Sequence, residues 1–377
     1  MTSKIKLACL GGALNSAVGS AHMAALRLTN RFELSAGCFS RQQDVNASSG
    51  AAFGLGSAQI YSDLDTMLAH GDYDAAVILT PTNAHFEQVK KCINAGVPVI
   101  CEKSLASNSI EAAELARMCN ERRGYLSVIY NYTGFPMLRE LRALIRAGKL
   151  GSIGQVQIEM PQEGFLRRDH NGNIISPQDW RLSDGAIPMV SLDLGIHLHI
   201  IIYFLTGKSP LQTIGNYASH GHFKEIIDSV SCMIKYTDGM QCDMWFTKAA
   251  LGNRNGLKIR VFGEYGSAEW MQMEPEILRM ADDRGDIRIL DRASAGSTEC
   301  NRPRYARFKP GHPSGFIEAF ANYYDDLHVS LLQFLENRVA APCEFVFGAA
   351  EASEGLALFE AVHKSVSSRN WVNIDGL

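Results

Sequence analysis

CLGGALNSAVGSAH, residues 9–22, is the stretch on which the reading of the chain turns. Two readings compete for it. Preceded by KIKLA, it has the outline of a short secretory signal, and L-A-C resembles a lipoprotein cleavage site. It also reads as the turn from a first strand into a first helix, where free backbone amides hold a phosphate. Length argues against the signal. Only four apolar residues, Leu7 to Leu10, separate Lys6 from the first glycine, whereas a signal core needs about 7–15. As a strand-to-helix turn the stretch lacks the full G-x-G-x-x-G, so its surroundings must decide.

Those surroundings alternate. KIKLACL, RFELSAGCF, DAAVILT, VPVICEK and YLSVIYN read as strands. VGSAHMAALRL, NAHFEQVKKCINAG (ended by Gly96) and SIEAAELARMCNERRG (ended by Gly124) read as helices. Near-continuous apolar strands separated by helices predict a doubly wound parallel sheet, buried on both faces. A first domain over residues 1–131 is expected to bind a dinucleotide.

From residue 132 the character changes. A helix, FPMLRELRALIRAGKLG, leads into QVQIEMP, LQTIGNYAS, VSCMIKYT, QCDMWFT, KIRVFGE and GSAEWMQM. These segments have the period of two that antiparallel strands with one covered face require. Helices near 190–205, 315–337 and 346–368 complete the half. The polar stretch DRASAGSTECNRPR, 291–304, is expected to be a surface loop. The expected fold class is thus an α/β Rossmann domain followed, over 132–377, by an α+β domain with a large, open, mostly antiparallel sheet.

Composition narrows the partners. Apolar residues make up 46% and charged residues 20%, with net charge −4 and both signs interspersed. Nothing favours nucleic acid or a membrane surface. The longest apolar run, MVSLDLGIHLHIIIYFL, carries an aspartate and two histidines and is too short to span a bilayer. Nine cysteines without C-x-x-C spacing predict reduced, buried thiols and a cytosolic setting.

In the opening turn, Gly11 is suited to the tight bend and Gly19 to close helix packing. Gly12, Ala13, Asn15 and Ser16 complete the candidate pyrophosphate contacts, with Asn15 able to tolerate a left-handed backbone. The second strand ends Cys38-Phe39-Ser40-Arg41, with no carboxylate for an adenosine ribose. Ser40 and Arg41 suit a 2′-phosphate, with a solvated surface arginine as the alternative, so the expected cofactor is NAD or NADP. In a parallel sheet ligands sit at the carboxyl ends of strands. That rule singles out Thr80, Pro81, Asn83 and His85 in ILTPTNAH, and Glu102 and Lys103 in ICEKSL. Asp193 and His197 in SLDLGIHLH stand four apart on a predicted helix and so share a face. A self-satisfied core pair is the alternative. The pairs His197/His199 and His220/His222 lack a further ligand cluster, so no metal site is expected.

Taken together, these residues resemble the Gfo/Idh/MocA oxidoreductases (glucose–fructose oxidoreductase, inositol dehydrogenase and relatives). The resemblance runs through TPTNAHFEQVKKCINAGVPVICEKSL, NYTGFPMLRELRALIRAGKLGSIGQVQ, WRLSDGAIPMVSLDLGIHLHIIIYFLTG and GHPSGFIEAFANYYDDL, to EGLALFEAVHKSVSSRNWV. It implies that the catalytic lysine of E-K-P falls on Lys103 and the D-x-x-x-H pair on Asp193 and His197. It also implies that the open sheet pairs subunits into a homodimer or homotetramer. Two departures stand out. The family's proline after the lysine, often cis, is Ser104 here, so either the peptide is trans and the lysine re-aimed, or the fold holds it cis. The family's glycines before D-x-x-x-H become Ala-Ile-Pro-Met-Val-Ser, 186–191, which reshapes the sugar pocket.

The expected chemistry is hydride transfer between a ring hydroxyl or ketone and nicotinamide. His197 serves as base, Lys103 steadies the oxygen, and Asp193 receives a neighbouring hydroxyl. Trp180, Arg181 and His312 are substrate-lining candidates. The substrate is expected to be a carbohydrate, a cyclitol or a nucleotide sugar. For a nucleotide sugar, Arg167 with Arg168 and Arg302 with Arg304 are candidate diphosphate contacts. Two other readings stay open: glycoside cleavage through a transient keto intermediate, and a non-catalytic cofactor-sensing regulator.

Overall fold

The structure, a computed structural model, describes residues 4–338 and 343–374. The first part of the chain runs β1 (Ile5–Gly11), α1 (Ala17–Thr29), β2 (Phe32–Cys38), α2 (Gln43–Phe53), α3 (Leu64–His70), β3 (Ala75–Leu79), α4 (Thr82–Asn94), β4 (Val99–Glu102), α5 (Ser109–Glu121) and β5 (Leu126–Ile129). There follow α6 (Pro136–Arg146), β6 (Ile153–Pro161), α7 (Ile196–Thr206), β7 (Pro210–Ala218), β8 (Ser229–Tyr236), β9 (Gln241–Thr247) and β10 (Lys258–Gly263). Then come β11 (Gly266–Met271), β12 (Leu278–Asp282), β13 (Ile287–Leu290), α8 (Phe316–Asn337), α9 (Ala349–Ser368) and β14 (Val372–Asn373).

Packing divides the chain into two units: Met1–Gly134 with Phe316–Ser353, and Phe135–Gly315 with Glu354–Leu377. A single cut at residue 131 would place α8 in the second domain. In the structure it belongs to the first, because its apolar face (Phe320, Tyr323, Tyr324, Leu327, Leu331) is buried and α8 packs along α1. Tyr323 ties the helix further by donating its hydroxyl to the Val128 carbonyl at 2.6 Å.

The first unit holds a five-stranded parallel sheet in the order β2-β1-β3-β4-β5. Every residue of β3 and β4 is buried, as their unbroken apolar sequences require. The chain starts at β1, steps outward to β2 and returns to β3 on the other side of β1. That reversal opens a crevice at the carboxyl end of β1, where such sheets receive ligands. Helices α2 and α3 carry too weak an apolar period to have been read from sequence. At the end of α5 the left-handed residue is Arg123, φ 51°, rather than the expected Gly124.

The second unit holds a nine-stranded sheet in the order β13-β12-β11-β10-β6-β9-β8-β7-β14. Its pairs are antiparallel except β6 with β9. Alternation sorts the side chains. Val230, Cys232, Ile234, Cys242, Met244 and Phe246 are buried, while Met233 and Trp245 on the opposite face are exposed. Gly195 lets α7 approach the ring of Phe359 in α9, since an added Cβ would lie 2.5 Å from it.

The stretch 291–304 is an irregular segment with mostly exposed residues, anchored from within at four points. Arg292, Ser297, Glu299 and Cys300 are buried. The buried carboxylate of Glu140, on α6, accepts the amides of Thr298, Glu299 and Cys300 at 3.1, 2.7 and 2.9 Å. Polar composition gives no sign of this anchor, in which three of the segment's amides are met by one distant carboxylate instead of by water.

Candidate functional site

At the end of β1, Gly11 and Gly12 have φ 81° and 73°, in the left-handed region that side chains disfavour. A Cβ on Gly12 would lie 2.7 Å from Leu79 Cδ1. A Cβ on Gly19 would lie 2.4 Å from the Gly12 carbonyl oxygen. The loop is therefore a bare backbone cradle leading into α1. Ser16 caps that helix, its hydroxyl accepting the Gly19 amide at 3.1 Å. No acidic residue stands in the first turn of α1 to offset the positive end of the helix from within. A cradle without side chains facing free helix-start amides suits the diphosphate of a dinucleotide. Ala13 is buried and Asn15 exposed. The left-handed conformation falls on the two glycines and not on Asn15.

At the end of β2, Cys38 and Phe39 are buried, Ser40 is half-buried and Arg41 is exposed. The Ser40 hydroxyl accepts the Gln42 amide at 3.1 Å, a local turn bond. At the end of β3, the Thr80 hydroxyl donates to Gln88 Oε1 at 2.5 Å, and Pro81 and Asn83 lie exposed at the start of α4. Beside them β4 ends in Glu102, followed by a half-buried Lys103; the Lys103–Ser104 peptide is cis.

Two of the residues expected at the cofactor, His85 and Glu102, are buried and bonded within the chain. His85 has no exposed surface, and its ring nitrogens lie 2.6 Å from the carbonyl oxygens of Ser104 and Thr80. It braces the ends of β3 and β4 against each other. Burial pushes its pKa below the usual histidine value, against the pull of those two carbonyls. Glu102 is likewise buried: Oε1 meets His22 Nε2 at 2.9 Å and Oε2 accepts the Lys103 amide at 3.0 Å. Sequence position alone places both at a strand end, and only the fold shows which way they face.

In the second unit, Asp193 sits in a π-helical turn, Ser191–Gly195, that runs directly into α7 and His197. The wider turn changes the register that the four-residue spacing assumes. Both side chains are buried. Asp193 Oδ2 lies 2.7 Å from Arg181 Nη1 and 2.7 Å from Lys248 Nζ. The Arg181 guanidinium stacks over the Trp180 ring at 4.6 Å, and Trp180 Nε1 donates to Gln178 at 3.0 Å. Lys248, just past β9, is 4% exposed and also donates to Gln162 Oε1 at 3.0 Å. Sequence reasoning missed it. Its one signal is a lysine directly after the strand QCDMWFT.

His312 is exposed, its ring edge-on to Phe308 at 4.5 Å and its carbonyl accepting from Arg292. The arginines considered for a second diphosphate already have internal contacts. Arg167 pairs with Glu163, Arg168 donates to the Gly172 carbonyl, Arg302 pairs with Glu299 and Arg304 lies over Tyr305. Among the described residues no three His, Cys, Asp or Glu side chains gather to hold a metal ion, and no helix is long and apolar enough to cross a membrane.

Comparison with known proteins accords with this geometry. Residues 8–130 match the profile of an oxidoreductase family with an NAD-binding Rossmann fold, GFO/IDH/MocA, and residues 138–269 match that family's C-terminal domain. The uncharacterized oxidoreductase YfiI of Bacillus subtilis is 28% identical over 336 residues, 86% of this chain and 84% of that protein. The crystal structure of an oxidoreductase from Sinorhizobium meliloti superposes with a TM-score of 0.84 at 27% identity, covering 98% of this chain and all of the other. An inositol dehydrogenase homolog from Azotobacter vinelandii, solved with NADH and myo-inositol, shares the fold with a TM-score of 0.89 at 23% identity, over 99% and 98% of the two chains. With a parallel dinucleotide-type unit, a nine-stranded second unit and both family profiles matched in order, the chain belongs to the Gfo/Idh/MocA family of oxidoreductases.

Proposed function

We propose that this protein is an NAD(P)-dependent dehydrogenase that interconverts a ring hydroxyl and ketone on a sugar, cyclitol or nucleotide sugar. The observation that carries the reading is the Gly11–Gly12 cradle at the start of α1, on a sheet whose β4 delivers Lys103 at its carboxyl end. The Azotobacter relative's complex with NADH and myo-inositol supports the substrate class.

In this reading Gly11, Gly12, Ala13, Asn15 and Ser16 hold the diphosphate, and Ser40 and Arg41 face the adenosine ribose. Thr80, Pro81 and Asn83 line the far side, at the end of β3. A bound nicotinamide supplies the hydride acceptor. His197 takes the hydroxyl proton as general base. Lys103 offsets the negative charge growing on that oxygen. Asp193, oriented by Arg181 and Lys248, accepts a hydrogen bond from a neighbouring hydroxyl. Trp180 and Arg181 line the substrate's position, with His312 as a further contact. The open sheet face bearing Met233 and Trp245, with a shallow cavity of about 490 Å³, is where a second copy would pair to form a dimer or tetramer.

The test is a panel of ring sugars and cyclitols offered with NAD+ or NADP+, read by the absorbance of reduced nicotinamide. Reduction by at least one polyol supports the reading. Tight cofactor binding with no net reduction across the panel would overturn it.

A further inference from the structure

Three buried polar side chains from distant segments meet beneath the end of β4. His22 on α1 has no exposed surface; Nε2 lies 2.9 Å from Glu102 Oε1, and Nδ1 lies 2.7 Å from the Tyr324 hydroxyl on α8. Phe320 closes the cluster edge-on to the imidazole at 4.9 Å. All of these residues lie in the first unit.

Donor and acceptor counting orders the bonds. An ionised carboxylate only accepts, so His22 Nε2 carries hydrogen and donates to Glu102. Nδ1 then accepts from Tyr324. That hydroxyl keeps its proton, because burial pushes its pKa well above the usual tyrosine value. Every polar group of the cluster thereby has a partner. Glu102 passes the restraint on, its other oxygen accepting the Lys103 amide at 3.0 Å. Burying such a network only to hold the strand would be redundant, since β4 is already paired on both sides, to β3 and to β5.

The same imidazole rides on the helix that begins at the dinucleotide cradle: α1 is capped by Ser16, and its Gly19 packs onto Gly12. We propose that His22 is a positioning residue that couples the seating of the dinucleotide at α1 to the placement of Lys103 at the end of β4, acting through Glu102. The consequence for turnover rests on the dehydrogenase reading. The coupling itself can be read from cofactor affinity alone.

The experiment is a double-mutant cycle on NADH affinity in the full chain, measured by fluorescence titration, using His22→Asn, His22→Gln and Lys103→Met. Gln can place a donor where Nε2 stands, and Asn cannot reach it. His22→Asn should weaken NADH binding roughly fivefold with Lys103 present and add no loss in the Lys103→Met background. His22→Gln should restore most of the affinity. Should His22→Asn fail to fold, Tyr324→Phe, which removes only the hydroxyl that sets the tautomer, enters the same cycle with the same expectation at smaller size. Equal losses in both backgrounds, or Asn and Gln behaving alike, would overturn the coupling and leave the dehydrogenase reading standing. Retained coupling with no turnover in the sugar panel would sink that reading and leave the coupling. No binding of NADH or NADPH to the unaltered protein would overturn both.

Discussion

Lys248 Nζ lies 2.7 Å from Asp193 Oδ2, and both side chains are buried. The two residues are far apart in sequence and meet because β9 delivers the lysine beside the π-helical turn. Removing Lys248 takes away one of the two cations on Asp193 and leaves Arg181 as the other. Lys248→Met should therefore destabilise the protein by about 1.5–3 kcal/mol in chemical denaturation, the worth of one hydrogen bond to a charged group. The double variant Lys248→Met/Asp193→Asn should recover part of that loss. A double variant that only adds the two single losses would show that the pair is not coupled.

Lys103→Met should lower kcat by roughly a hundredfold or more, the scale seen when one charge-stabilising donor is lost. Cofactor affinity should change far less. Steady-state kinetics with the best substrate of the panel measure the first, and fluorescence titration the second. Undiminished turnover would remove Lys103 from the chemistry.

Arg41 is exposed at the end of β2, with no carboxylate in Cys38–Arg41 to receive a ribose. Arg41→Ala should weaken NADP(H) roughly tenfold while NAD(H) stays within a few-fold, because a guanidinium pairs with the 2′-phosphate alone. Parallel titrations with the two cofactors decide it. Equal effects on both would discard the 2′-phosphate role.

Gly19→Ala should cost both stability and dinucleotide affinity, since its Cβ would sit 2.4 Å from the Gly12 carbonyl oxygen and only backbone movement can relieve it. A loss of about 1–3 kcal/mol is expected in denaturation, the usual cost of overpacking. A wild-type melting temperature together with wild-type NADH affinity would contradict the close approach.

His85 and His328 both have pKa values lowered from 6.5, chiefly by burial. The folded protein therefore takes up these protons at lower pH than the unfolded chain, which protonates them near 6.5. Their contribution to stability is fully present above that value and is lost as pH falls through the window below it. The melting temperature should fall between about pH 7 and pH 5, and His328→Leu should flatten that slope. An unchanged slope in the variant would remove His328 from the transition.

The extent to which the site was legible in the sequence differs residue by residue. Gly11 and Gly19 were readable because a strand followed by a glycine turn and a helix is a local pattern. Lys103 was readable because it follows an apolar strand whose end faces ligands in any parallel sheet. Lys248 was not readable, since a single lysine after a strand is most often a solvated charge. His85 and Glu102 were readable as strand-end residues, but not their burial or their partners within the chain. A position fixes the end of the strand, and the packing of α1, α4 and α8 fixes the direction of the side chain.

The sequence by itself determined the two sheets, because apolar periodicity and turn residues act over a few neighbours and leave a local trace. It also determined the family, through motifs that keep their order along the chain. Only the tertiary structure decided that α8 returns to the first unit, that Glu140 holds the 298–300 backbone, that Asp193 is clamped by two cations and that His22 joins Tyr324 to Glu102. Each of these contacts joins residues distant in sequence, and partners chosen by folding in three dimensions leave no periodic signal in the segments that supply them.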